Sequence, residues 1–378
     1  MIFLNKKLRI TLILLMIFCV ICFLCVYITL FNTTYFNSVK IENIQCDNNY
    51  NNCVANTYNE LVQIGDKLYY NYIGDPLKYG TYEIADGITT RIYWEGFDLK
   101  GAKCLYLDNI YNGKILESSI SNVSTESSQN YIVNYYNIDN KEYEPCFTLE
   151  NSNNIYLSGG FFVAEGVLYF YSFDDDDEES SSLYRYKDEK LELILSKELI
   201  GTENYSRPIF NNGYMYFTTI NTVSDEQCDY YVCKYDMDTK KILKKVKIPT
   251  TLDEYYSSNI DGCKLVLGDK VYGYRSKSNK DTIFVTDLSS ETIKNVFEVT
   301  DGSIIINGYG DNAYIGVEYG KNKGIYKINN ETNVVSDVLT GTDVSQLYIL
   351  DKKWLYFVNG RKLYRVSSDG KTVEKVFG

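Results

Sequence analysis

GVLYFYS, residues 166 to 172, sets Tyr169 and Tyr171 in step among apolar neighbours directly behind a Glu165-Gly166 turn signal. Near copies recur along the chain: Leu68-Tyr69-Tyr70, Leu105-Tyr106-Leu107, Met215-Tyr216-Phe217, Val271-Tyr272-Gly273, Ala313-Tyr314-Ile315 and Leu355-Tyr356-Phe357, which with Leu168-Tyr169-Phe170 makes seven. Upstream of several lie Gly65-Asp66, Asn212-Gly213, Gly268-Asp269 and Asp311-Asn312, pairs suited to tight hairpins.

A second motif follows each first one, again with an aromatic at its centre and often a basic residue after it. It reads Thr81-Tyr82-Glu83-Ile84, Tyr135-Tyr136-Asn137-Ile138, Leu183-Tyr184-Arg185-Tyr186, Val232-Cys233-Lys234-Tyr235, Ile283-Phe284-Val285-Thr286, Ile325-Tyr326-Lys327-Ile328 and Leu363-Tyr364-Arg365-Val366. The centres advance by 54, 48, 49, 51, 42 and 38 residues, and turn chemistry such as Ser368-Asp369-Gly370 then precedes a last strand. Each unit supplies four short strands. From Tyr58 to the end there are 321 residues, about 46 per unit, the size of one propeller blade. The expected fold is all-β: a β-propeller of seven four-stranded blades over residues 57–378, with six or eight as alternatives because the second unit matches loosely. A two-sheet sandwich fits seven units in one register less well. The last unit is complete, so ring closure needs no N-terminal strand.

This pattern resembles the bacterial domains of unknown function that are similar to the β-propeller of low-density lipoprotein receptor-related proteins. Lys353 to Gly378 carries the resemblance best, followed by Asp311 to Leu339 and Gly166 to Ser196. The resemblance implies a propeller on an exported bacterial protein and transfers no catalytic residue.

The N-terminus predicts a membrane anchor. Lys6, Lys7 and Arg9 precede an uncharged run from Ile10 to Phe31, 22 residues, or roughly 33 Å of helix against a hydrocarbon core of about 30 Å. No alanine precedes Ala55, so the small residues of a signal-peptide cleavage site are missing. Cys19, Cys22 and Cys25 follow Phe18, Ile21 and Leu24, bulky residues that do not suit lipid attachment. The basic flank keeps residues 1–9 in the cytoplasm and places the rest outside. The expectation is a single-pass cell-membrane protein: a short tail (1–9), a signal anchor (10–31), a linker (32–56) and the ectodomain.

The exported part carries 35 basic and 50 acidic residues, a net charge of 35 minus 50, or −15, which argues against nucleic acid as a partner. The chain has no histidine. That removes Ser-His-Asp and Cys-His arrangements, an imidazole base and any His-ligated metal. Carboxylate-pair chemistry survives in principle, without a motif that selects the pair. Of the ectodomain cysteines, Cys46 and Cys53 flank a DNNYNN loop and could close on each other, while Cys233 takes an aromatic slot and reads as core. Cys104 and Cys146 read as second and fourth strands of one blade, too far apart to bridge.

The most conspicuous polar run is FDDDDEESSS, Phe173 to Ser182. Asp174, Asp175, Asp176, Asp177, Glu178 and Glu179 are hard ligands of the kind calcium takes, yet no calcium-loop spacing is present, so a solvated loop is the plainer reading and no cofactor is expected. The gaps between the two motif centres are 13, 30, 15, 17, 12, 12 and 8 residues, so the long ones fall in adjacent units. Asp108 to Tyr131, Phe173 to Ser182 and Asn221 to Asp229, the last with Asp225 and Glu226, are therefore expected to form one acidic loop patch that binds another surface or membrane protein. The functional expectation is a non-enzymatic binding, sensing or scaffolding module. The alternative is a carbohydrate or other small molecule bound or processed in the central funnel.

Overall fold

A computed structural model describes residues 6–31, 34–36, 39, 41, 60–73, 78–98, 101–105, 107, 109–111, 113–119, 130–150, 161–174, 177–201, 204–224, 227–249, 258–277 and 280–378. It is a seven-bladed β-propeller of antiparallel four-stranded blades, each ordered from its first strand to its last.

Blade one comprises Leu61–Ile64, Lys67–Tyr72, Gly80–Ala85 and Ile88–Tyr93, and blade two Ile110–Tyr111, Lys114–Ser119, Asn130–Asn137 and Glu142–Glu150. Blade three is Phe161–Ala164, Val167–Asp174, Asp177–Lys187 and Lys190–Leu195. In blade four the inner strand is split into Asn204–Tyr205 and Ile209–Asn211, both paired with Tyr214–Ser224, ahead of Gln227–Asp236 and Lys241–Ile248. Blade five is Ser258–Leu267, Lys270–Lys277, Lys280–Asp287 and Thr292–Thr300; blade six is Ile304–Tyr309, Asn312–Val317, Gly324–Asn329 and Val335–Thr340. Blade seven is Gln346–Ile349, Trp354–Asn359, Lys362–Ser367 and Val373–Phe377, built wholly from C-terminal strands.

The repeated motif has a simple physical reason. Successive strand residues point to opposite faces, and a blade between two neighbours must bury both. Leu168 and Phe170 pack towards blade two, while Tyr169 and Tyr171 pack towards blade four. In blade four, Met215 and Phe217 face back to blade three and Tyr216 faces blade five. The tyrosine hydroxyls then bond into the adjacent blade: Tyr235 donates to the Ile194 carbonyl at 2.8 Å, Tyr272 to Asn330 Oδ1 at 2.8 Å and Tyr136 to the Ile92 carbonyl at 3.2 Å. The ring closes where Tyr70, Tyr72 and Tyr82 of blade one share a core with Leu355, Phe357 and Phe377 of blade seven. Phe377 stands 4.6 Å from Tyr82 and 5.0 Å from Tyr72, centroid to centroid.

Three sequence readings are corrected. Leu105-Tyr106-Leu107 is not the second strand of blade two; that strand is Lys114–Ser119. Leu105 and Leu107 are buried ahead of the blade, clamped to blade one by a closed polar network. Asn71 Nδ2 donates to the Leu105 carbonyl at 2.7 Å, the Leu105 amide to Thr81 Oγ1 at 2.9 Å, and Thr81 Oγ1 to Asn71 Oδ1 at 2.7 Å. Cys104 therefore lies in a connection rather than on a strand, and Asp108 to Tyr131 is not one loop. Secondly, the long gaps in blades three and four are hairpins rather than loops: the ladders continue to Asp174 opposite Asp177 and Ser224 opposite Gln227. Thirdly, Thr34–Phe36, inside the stretch read as a linker, pairs with the outer strand of blade one, Thr34 opposite Thr90 and Phe36 opposite Ile88.

Strand direction divides the ring into two faces. Turns between first and second, and third and fourth, strands lie on one, here the turn face. The second-to-third hairpins and the blade-to-blade connections lie on the other, the hairpin face.

The N-terminal helix runs Lys6–Phe31. Side chains are described only for residues 11–25, nearly all exposed and apolar, and among the described residues no helix is long and apolar enough to cross a membrane.

Candidate functional site

The acidic run ends a hairpin on the hairpin face. Asp174 and Asp177 face each other in the ladder, with Glu178 and Glu179 in the returning strand. Asp175, Asp176, Asp225 and Glu226 lie outside the described residues, as do Cys46 and Cys53 and the side chains of Asp174, Asp177, Glu178 and Glu179. Among the described residues no group of three or more Cys, Asp or Glu side chains is placed to hold a metal ion.

A different carboxylate stands out. Glu60 immediately precedes the inner strand of blade one, at the hairpin-face end of the seam with blade seven. Its carbonyl accepts from the Asn71 amide at 2.7 Å, so Asn71, already bonded to Leu105, fixes Glu60 and the Cys104–Leu105 connection together. The Glu60 carboxylate accepts the Tyr348 hydroxyl at 3.1 Å. Burial raises its proton affinity above the ordinary carboxylate range, and the Tyr348 hydrogen bond offsets only part of that. Among the described acids with a shifted affinity it alone is raised; Glu144, Glu192, Glu198, Asp236, Asp287 and Asp369 are lowered by hydrogen bonds. Among the described residues no ion pair reaches it.

Its neighbours share this character. Burial, with Glu60 adding to it, pushes the Cys104 thiol up to about 11 and lifts the Tyr70 hydroxyl beyond the tyrosine range. A thiol so raised is not a thiolate near neutral pH, so Cys104 is no ready nucleophile. Glu60 is half-buried and retains access from solvent. It can give or take a proton, and as a carboxylate it can hold a cationic or hydroxyl group. Sequence reasoning missed it because Glu60 sits in a polar stretch with no motif; its only signal was a place one residue before the first strand of the first unit.

No family model matches this chain, and no curated protein does. Solved structures with a similar fold include an acylaminoacyl peptidase in complex with a chloromethyl ketone (13% identity, 68% of this chain and 45% of that one, TM-score 0.42). A puromycin-hydrolysing peptidase of Mycobacterium tuberculosis matches at 11% identity over 89% of this chain and 56% of that one, TM-score 0.45. An oligogalacturonate lyase in complex with manganese matches at 10% identity over 92% and 90%, TM-score 0.46. The chain spans about half the length of the two peptidases. At these identities the likeness is one of fold alone. The three proteins named are two peptidases and a lyase, and the expectation of a non-enzymatic module is given up.

Proposed function

We propose that this chain is a membrane-tethered propeller that takes a hydroxyl-rich small molecule, carbohydrate in the first instance, at the hairpin-face end of the seam between blades one and seven, with Glu60 as the proton-transferring group. The observation that carries this reading is the Glu60 carboxyl itself: half-buried, raised in proton affinity, without an ion pair among the described residues and oriented by Tyr348. Structural ion pairs ordinarily lower a carboxylate; a raised, unpaired and accessible one is the pattern of an acid–base group. The tether is supported by the uncharged run Ile10 to Phe31 within a continuous helix behind three basic residues. In this reading the propeller lies outside the cell.

A panel of oligosaccharides screened by thermal shift against the full chain and Glu60→Gln tests the site. The expected result is a glycan that raises the melting temperature of the parent chain and binds the variant at least about tenfold more weakly, a loss of roughly 1.4 kcal/mol. Equal binding by both, or none by either, would remove the site reading. Protease added to intact cells should degrade the propeller if it lies outside.

A further inference from the structure

We propose that the hairpin-face rim of blade one docks on a lipid bilayer, with Trp94 and Ile73 seated in the interfacial layer. This rests on the tether reading above, and it follows from how short the tether is. The helix ends at Phe31 and the chain is already paired to blade one at Thr34. Three Cα steps span at most about 11 Å, so the propeller cannot stand off on a long linker.

Register fixes which side of the blade meets the membrane. The outer strand runs from Ile88 at the turn face to Tyr93 at the hairpin face, and the Thr34–Phe36 strand is antiparallel to it, with Phe36 opposite Ile88. The chain therefore reaches Thr34 from the hairpin-face side, and the end of the helix lies at that rim.

Two side chains at the same rim fit an interfacial layer. Trp94 directly follows the outer strand, half-buried, with the Arg91 guanidinium 4.9 Å from its ring centroid. Ile73 directly follows the second strand of the same blade and is 55% exposed. A tryptophan with one wet edge beside an exposed isoleucine is the composition found where proteins meet the headgroup boundary. The other tryptophan of the chain, Trp354, begins the second strand of blade seven at the turn face and is buried. The molecule thus carries its own reference fluorophore on the opposite face.

The test uses the full chain in proteoliposomes, with tryptophan emission compared between plain and brominated lipid. Trp354→Phe, whose emission comes from Trp94 alone, should be quenched at least roughly twofold, and Trp94→Phe should not be quenched. If Trp354→Phe fails to fold, the same contrast is read as the difference between the parent chain and Trp94→Phe. Protein that floats with the liposomes but shows no quenching of Trp94 overturns the docking while leaving the tether intact. Protein that does not float overturns the tether, and the docking with it.

Discussion

Tyr348 of blade seven donates its hydroxyl to the Glu60 carboxylate of blade one, 3.1 Å away and 288 residues earlier in sequence. This polar contact joins the two ends of the ring beside a seam of aliphatic and aromatic side chains. Tyr348→Phe should leave the half-buried carboxylate without its donor and lower unfolding free energy by about 1–3 kcal/mol, read as a shifted urea midpoint with an unchanged slope.

Glu60 also gives the protein a pH dependence of defined sign. Its folded proton affinity is raised by burial, so at pH values between its unfolded and folded affinities the folded chain holds a proton that the unfolded chain has released. The associated stability is fully present below the ordinary carboxylate range and is lost as pH rises through the folded value. Glu60→Gln should abolish this fall, melting higher than the parent near neutral pH while the two converge in acid. A variant that is more stable yet fails to bind would have the signature of a functional carboxyl. Melting curves at several pH values decide it.

Phe377 closes the seam by ring contact with Tyr70, Tyr72 and Tyr82 at centroid distances of 5.8, 5.0 and 4.6 Å. Phe377→Ala should cost about 3–5 kcal/mol. Hydrogen exchange should rise first in blades one and seven, because the lost packing lies between them.

Arg365 is held between the Trp354 ring, 4.1 Å from its centroid, and Glu374, bonded at 2.7 and 2.6 Å. Arg185 and Glu192 make the equivalent contact in blade three at 2.9 Å. The basic residue of the second motif is thus a cross-strand partner of the outer strand in both. Arg365→Lys keeps the charge but loses the planar fork and the stacking, and should cost about 1–2 kcal/mol by denaturant titration.

Cys233 and Cys263 are fully buried, the first pushed up to about 11 by burial and the second raised well above the ordinary thiol range. At pH 8 a thiol at 11 is ionised in about one molecule per thousand. Under native conditions an aromatic disulfide reagent should label Cys146 and Cys228, which are partly exposed, before either of these. Labelling of Cys263 should follow global unfolding. Rapid native labelling of Cys263 would contradict its burial.

The architecture was legible because the tyrosine motif reports period-two burial on both faces of a strand, and blades three to seven obey it residue by residue. Blade two was misread because its true second strand, KILESS, carries no aromatic, whereas Leu105 and Leu107 imitate the motif while serving a buried connection. What pins that connection is the network that joins the Asn71 and Thr81 side chains to the Leu105 backbone, groups distant in sequence. The hairpins of blades three and four looked like loops because their polar content hides an unbroken ladder. Glu60 escaped notice for a different reason: burial by a blade nearly three hundred residues away leaves no local trace.

The three residue pairs that join Thr34–Phe36 to blade one have a mechanical meaning. Any load applied through the N-terminal helix reaches this short pairing before it reaches a blade. Behind the pairing stand the Ile41 amide bond to Asp86 at 2.6 Å and the side chains of Val39 and Ile41, buried in the core that blades one and seven share. A sustained pull would thus peel three residue pairs and then bear directly on the seam that closes the ring.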